Sequence, residues 1–308
     1  MQWRETAGFA ALSVLLGSLW IPERVLGGSM SAGYVAALAY TLGAAVAILL
    51  CLLTRVRLPQ WDEWRPLCIV CGTFVAALCV LYVAEMMPFH LSAQEIITLH
   101  ASAPLAVAVL TPLWLERKVP RSAMLMMAVG LGGIWLMLSA TAHLTWMEAF
   151  DIVFGFISIA CTAGAFLYAK RTLQHVEPMF SAAIIMLGLA IAAWPLALAT
   201  SGESQIAWSG TIVTAVVLVG LGSAMAAALG FWLLQRTEPY QLVMVRIAAP
   251  VVMFAEAWLI LRSRPGWQMA LGAVLAVASV VAVVLSSENE DEPIGIFPAE
   301  DAQPPELH

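Results

Sequence analysis

The sequence predicts an all-α membrane protein: ten transmembrane helices arranged as two inverted five-helix repeats. Three observations predict it. Of the 308 residues, 62% are hydrophobic and only 11% are charged, whereas a soluble chain carries about 25% charged residues. Ten apolar runs follow one another on short connections, each long enough for a hydrocarbon core of about 30 Å. A shift of 146 residues lays the last five runs on the first five without a gap. Five is odd and consecutive spans alternate in direction, so the second half must lie upside down relative to the first. Such repeats enclose a site near the midplane that can open to either side, the geometry of alternating access.

The runs lie near residues 6–21, 31–54, 66–86, 92–115, 122–141, 147–169, 178–200, 208–234, 240–261 and 266–286. Their length and continuity predict helices, since barrel strands would be about 10 residues long with alternating polarity. The first run follows Arg4 and resembles a secretory signal, but nine further spans follow it and no small-residue cleavage site is evident. It is expected to be an uncleaved helix. The division is residues 1–141 for the first repeat, 142–146 for a linker, 147–286 for the second repeat and 287–308 for a tail.

The fourth and ninth runs anchor the repeat. Thr98-Leu99-His100-Ala101-Ser102-Ala103-Pro104 falls on Met244-Val245-Arg246-Ile247-Ala248-Ala249-Pro250. The same shift pairs Leu115 with Leu261, Leu125 with Leu271, Trp20 with Phe166 and Arg24 with Lys170. Pro104 and Pro250 each remove a backbone hydrogen bond. As a matched pair they are candidate hinges. Close helix approach in lipid needs small residues. Gly130, Gly132 and Gly133 in the fifth run supply them, as do Gly222, Ala226 and Gly230 in the eighth.

Lys and Arg are distributed unevenly. With the N-terminus in the cytoplasm, ten fall in inside segments, from Arg4 to Arg236, and Arg24, Arg262 and Arg264 fall outside. This bias puts both termini in the cytoplasm and the chain in the cell (inner) membrane. The net charge of −6 comes from the tail, which holds seven acidic residues and no Lys or Arg. Rich in Pro and charge, the tail is expected to be disordered. Cys51, Cys68, Cys71, Cys79 and Cys161 all sit in apolar runs, which argues against a disulfide framework. Cys68-x-x-Cys71 has no acidic or His neighbours and suits packing better than a metal or redox centre.

An ionised side chain near mid-membrane costs about 2.5–3.5 kcal/mol and needs a partner or a wet cavity. Arg246 lies in the ninth run and His100 holds the matching place in the fourth. Inverted halves bring both toward the midplane, where together they favour an anionic group such as a carboxylate. The plainer reading pairs Arg246 with a fixed carboxylate and makes His100 a packing residue. Glu95 and Glu256 are candidates for substrate contact or for proton uptake, since burial favours a neutral carboxyl. Glu85, Glu148 and Asp151 suit the interface. Trp20, Tyr82, Phe166 and Trp232 are candidate aromatic walls, although Trp at the membrane interface is the commoner case.

Several chemistries lack their parts. There is no phosphate-cradling glycine loop, no His-Glu-x-x-His pair and no Gly-x-Ser-x-Gly turn. No cofactor, metal site, catalytic set or nucleic-acid partner is expected, and the chain is not read as an enzyme. The expected partners are the bilayer, a small-molecule substrate and, as a candidate coupling ion, the proton. The assembly is a monomer or a homodimer.

Four stretches carry a family resemblance over about residues 6–286: Leu16-Gly17-Ser18-Leu19-Trp20, Ser92-Ala93-Gln94-Glu95 through Pro104, Trp114-Leu115-Glu116-Arg117, and Gly130 to Gly133. In order and spacing the chain resembles the drug/metabolite transporter superfamily, of the EamA-like type. It departs at Leu261-Arg262-Ser263-Arg264, where that family usually places Gly-Glu, and at Ser279, where Gly is common. The resemblance implies a secondary exporter of small metabolites, amino acids or drugs, with a cavity lined by both repeats. It names no substrate.

The leading expectation is a secondary active transporter that exports carboxylate-bearing metabolites. One alternative is a cation or drug exporter using Glu95 or Glu256. Of other classes, a receptor or scaffold is favoured only by the acidic tail, and a lipid-modifying enzyme lacks a nucleophile.

Overall fold

The computed structural model describes residues 3–86, 97, 99–138, 148–200, 208–262 and 266–285. Glu95, the 142–146 linker and the 287–308 tail lie outside them, as does the Glu85 side chain.

The described chain is helical throughout its spans. Helices α1 (Trp3–Ser18) and α2 (Trp20–Gly27) together make the first span. Helices α3 (Ala32–Leu53), α4 (Trp61–Met86), α5 (Ala103–Leu115) and α6 (Arg121–Leu138) complete the first half. The second half holds α7 (Glu148–Thr172), α8 (Pro178–Thr200), α9 (Gly210–Arg236), the short α10 (Pro239–Val243), α11 (Val245–Leu261) and α12 (Trp267–Leu285). Nine of the resulting spans are long and apolar enough to cross a membrane, and Leu99–Leu115 is a shorter apolar helix. This is a multi-pass membrane protein.

Helix ends follow local chemistry more than apolarity. The third span starts at Trp61, earlier than its apolar run, because Gln60 N–H donates to Glu63 Oε2 at 2.7 Å and acidic residues favour a helix N-terminus. Ser31 and Ser209 accept from Tyr34 N–H and Ile212 N–H, capping α3 and α9.

The repeat is visible in these boundaries. Ala32 and Pro178 begin α3 and α8, 146 residues apart, and Arg121 and Trp267 begin α6 and α12 at the same separation. Glu116 and Arg262, again 146 apart, end α5 and α11 in the left-handed conformation, at φ 56° and 50°.

Inversion follows from how equivalent helices cross. Ala37 of α3 packs with Ala193 and Ala197 of α8, while Ala47 packs with Ala183. As α3 advances α8 retreats, so the two copies of one helix run antiparallel. In the other equivalent pair, Gly130 of α6 faces Ser279 of α12 and Gly133 faces Ala276. The repeat shift exchanges these two contacts, which marks the pseudo-two-fold axis. A Cβ on Gly133 would lie 2.7 Å from the Gly272 oxygen, so the backbones touch here, as small residues permit. Further seams come in related pairs: α1 with α11 and α7 with α5, α3 with α9 and α8 with α4.

Candidate functional site

The two polar residues of the anchor motif flank helix breaks. The chain turns at Ser102, whose N–H and Oγ both donate to the Leu99 carbonyl, at 3.0 and 2.7 Å. In the other half it turns at Met244, whose N–H donates to Gln241 O at 3.1 Å. His100 precedes the first break by two residues, and Arg246 follows the second by two. These i to i−3 bonds tighten the helix and leave neighbouring backbone polar groups without their usual helical partners. The breaks do not fall on the prolines. Pro104 occupies the first turn of α5, where its missing N–H costs nothing, and Pro250 lies within α11.

His100 and Arg246 come from opposite halves and lie within electrostatic reach of each other. Both are half-buried. Tyr40 of α3 lies within the same reach of Arg246. Among the described residues, no carboxylate forms an ion pair with Arg246. An anion is the natural complement of such a pair, since a guanidinium binds carboxylate through two parallel N–H bonds. Tyr40 escaped the sequence reading. Its signal was a tyrosine deep in the second span, beside Thr41 and six residues after Tyr34.

The other candidates separate into local groups. Glu256 accepts from Ser18 Oγ at 2.5 Å and from Trp20 Nε1 at 3.1 Å, joining span one to α11. Arg24 lies 6.0 Å from the Trp20 ring. Tyr82 is buried in α4 at 5% exposure. Phe166 stacks edge-on against Phe74 at 5.4 Å. Trp232 lies beneath Arg236, 4.6 Å from the guanidinium, and against Gly8 of α1. The described residues contain no group of three or more His, Cys, Asp or Glu able to hold a metal ion, and the cysteines among them are free.

At the C-terminal end of α9, Lys170 Nζ donates to the carbonyls of Leu234, Gln235 and Thr237, at 3.0, 3.4 and 2.9 Å. These are orphan acceptors at the C-terminus of α9, and a cation there also complements the helix dipole. Gln235 Nε2 returns bonds to Leu173 O and Val176 O. Arg117 pairs with Glu238 at 2.6 Å, tying the end of α5 to the start of α10.

Residues 149–285 match the model of the EamA-like transporter family. The chain carries an EamA-like transporter unit. That EamA-like match spans α7 to α12, and the first half repeats its helices in inverted order of direction. A solved structure described only as "Crystal structure of protein" shares the fold, with a TM-score of 0.73 and 21% identity over 92% of this chain and 98% of its own. No curated protein matches. Residues 149–285 are therefore similar to the EamA-like transporter family, and the shared fold extends over both halves of the chain.

Proposed function

We propose that this chain is a secondary active transporter of the cell membrane that exports small carboxylate-bearing metabolites, amino acids among them, by alternating access. The observation that carries the reading is the approach of Arg246 and His100 from opposite halves beside two helix breaks. A substrate anion bound there touches both repeats at once. Rocking one repeat against the other then moves the opening without moving the site. Both termini are cytoplasmic on this reading, the drive is an ion gradient with protons as the first candidate, and the assembly is a monomer or homodimer. The two repeats divide at residues 142–146. The involvement of both Glu256 oxygens with Ser18 and Trp20 weighs against a cation exporter built on that carboxylate.

The test is flux in vesicles of purified protein across a panel of amino acids, organic anions and organic cations, with and without a pH gradient. Arg246→Ala is expected to abolish anion flux while the protein stays monodisperse. Cation flux that survives this substitution, with no anion flux in the wild type, overturns the reading.

A further inference from the structure

The seam between span one and α11 is built differently from its mate in the other half. Span one is interrupted at Leu19, between α1 and α2. Directly before the break Gly17 meets α11 so closely that a Cβ would lie 2.6 Å from Val252 Cβ and 2.9 Å from the Ala249 oxygen. Directly around it, Ser18 and Trp20 donate to the two oxygens of Glu256. The repeat shift puts Gly164, Phe166 and Leu110 at the equivalent places in α7 and α5. None of those three can form the bonds. Phe166 packs instead on Phe74 of α4.

We propose that Ser18, Trp20 and Glu256 form a one-sided latch that holds span one on α11 and closes the chamber at the Gly27 end of that span. The matching seam between α5 and α7 has no carboxylate at the equivalent place; Trp114 meets Tyr168 edge-on there, and Arg171 donates to the Trp114 carbonyl at 3.5 Å. Access is then gated by two unlike devices. One releases when two side-chain bonds to a single carboxylate break together, and the other rests on an edge-on aromatic contact and one long bond to a backbone carbonyl. Glu256 is a positioning residue here, acting through the helix break and not through the substrate.

Proton placement makes the latch testable apart from charge. Ser18 Oγ also donates to the Val14 carbonyl at 2.8 Å, yet a hydroxyl has one hydrogen. A glutamine at 256 resolves this conflict. Its Nε2 can donate to Ser18 Oγ, its Oε1 can accept from Trp20, and the Ser18 hydrogen goes to Val14. A leucine can do neither.

The inference takes its meaning from the transport reading, but its experiment needs no substrate. The five cysteines are replaced and Val252→Cys is introduced beside Gly17. The rate of alkylation by a membrane-impermeant maleimide is then measured from each side of oriented proteoliposomes. Glu256→Leu is expected to raise the rate from the Gly27 side roughly tenfold, the population shift for losing two interhelical hydrogen bonds of the strength found in membranes. Glu256→Gln is expected to leave it near the parent value. Should Glu256→Leu fail to purify as a monodisperse protein, the Ser18→Ala, Trp20→Phe double variant replaces it with the same expectation. An unchanged rate in the bond-deficient variant overturns the latch, and so does a rise in Glu256→Gln equal to that of the deficient variant. A protein that carries no solute yet shows this alkylation pattern keeps the latch and loses the transport reading.

Discussion

Ser18 Oγ stands 2.5 Å from Glu256 Oε1, although 238 residues separate them along the chain. This one bond joins the first helix of one repeat to the discontinuous span of the other. Hydrogen bonds between membrane helices contribute about 0.6 kcal/mol on average, so its effect on global stability is modest. Ser18→Ala is expected to lower the thermal midpoint of the detergent-purified protein slightly, with a loss of about 0.6–1.5 kcal/mol. Glu256→Gln should match the parent. A Gln variant that unfolds earlier than Ser18→Ala would mean that the carboxylate charge, not the bond, matters.

The axis crossing is a second place where sequence dictates packing. Gly133 and Gly272 face each other's backbone, and a Cβ on Gly272 would sit 2.5 Å from the Gly133 oxygen. Nothing lies within 4 Å of a Cβ placed on Gly132. Gly133→Ala and Gly272→Ala should each destabilise by about 1–3 kcal/mol, the usual cost of overpacking. Gly132→Ala should be neutral or slightly stabilising, since alanine is the better helix former. Melting curves of the three variants check this. Equal losses in all three would remove the axis contact as the cause.

Lys170 offers a third prediction. Its three acceptors end α9, and the half-buried amine leaves little room for water to replace it. Lys170→Met keeps the stem and removes the donors. It should cost about 1–3 kcal/mol, the penalty for stranding buried acceptors. Lys170→Arg should recover part of it. Arg117→Ala, by contrast, breaks a pair whose arginine is 65% exposed. It should cost no more than about 1 kcal/mol. Thermal unfolding with and without added salt separates the two, because screening acts on the exposed pair alone.

The spans, the 146-residue repeat and the inversion were legible because lipid imposes one demand, apolar length, on every crossing segment. That His100 and Arg246 come within electrostatic reach of each other follows from inversion, which carries equal sequence places toward one another. The helix breaks were less so. The prolines at 104 and 250 pointed to the right helices, but the turns fall at Ser102 and Met244, where side-chain and short-range backbone bonds decide. The Ser18–Trp20–Glu256 group and the Lys170 cap were hidden for a different reason. Each joins residues tens to hundreds apart, and neither periodicity nor repeat alignment records such contacts. The alignment in fact obscures the first, since its mates are Gly164, Phe166 and Leu110. Trp232 illustrates the converse: an aromatic wall in prospect, it packs on Gly8 beneath Arg236.

The matched left-handed ends of α5 and α11 supply the last prediction. Glu116 and Arg262 each hold φ near 50°, a region that Cβ disfavours for every residue but glycine. Both are exposed, so no packing is lost on truncation. Helices ending this way usually place glycine at that position. Glu116→Gly and Arg262→Gly should therefore each stabilise the protein, by about 0.5–1 kcal/mol after glycine's own entropy cost. The two gains should add, because Glu116 and Arg262 end different helices in different halves of the chain, and separate sites act independently. Alanine at the same places should gain nothing, since it keeps the Cβ. Melting of the single and double glycine variants beside their alanine counterparts decides it. A gain with alanine equal to that with glycine would trace the effect to the lost charges instead of the backbone.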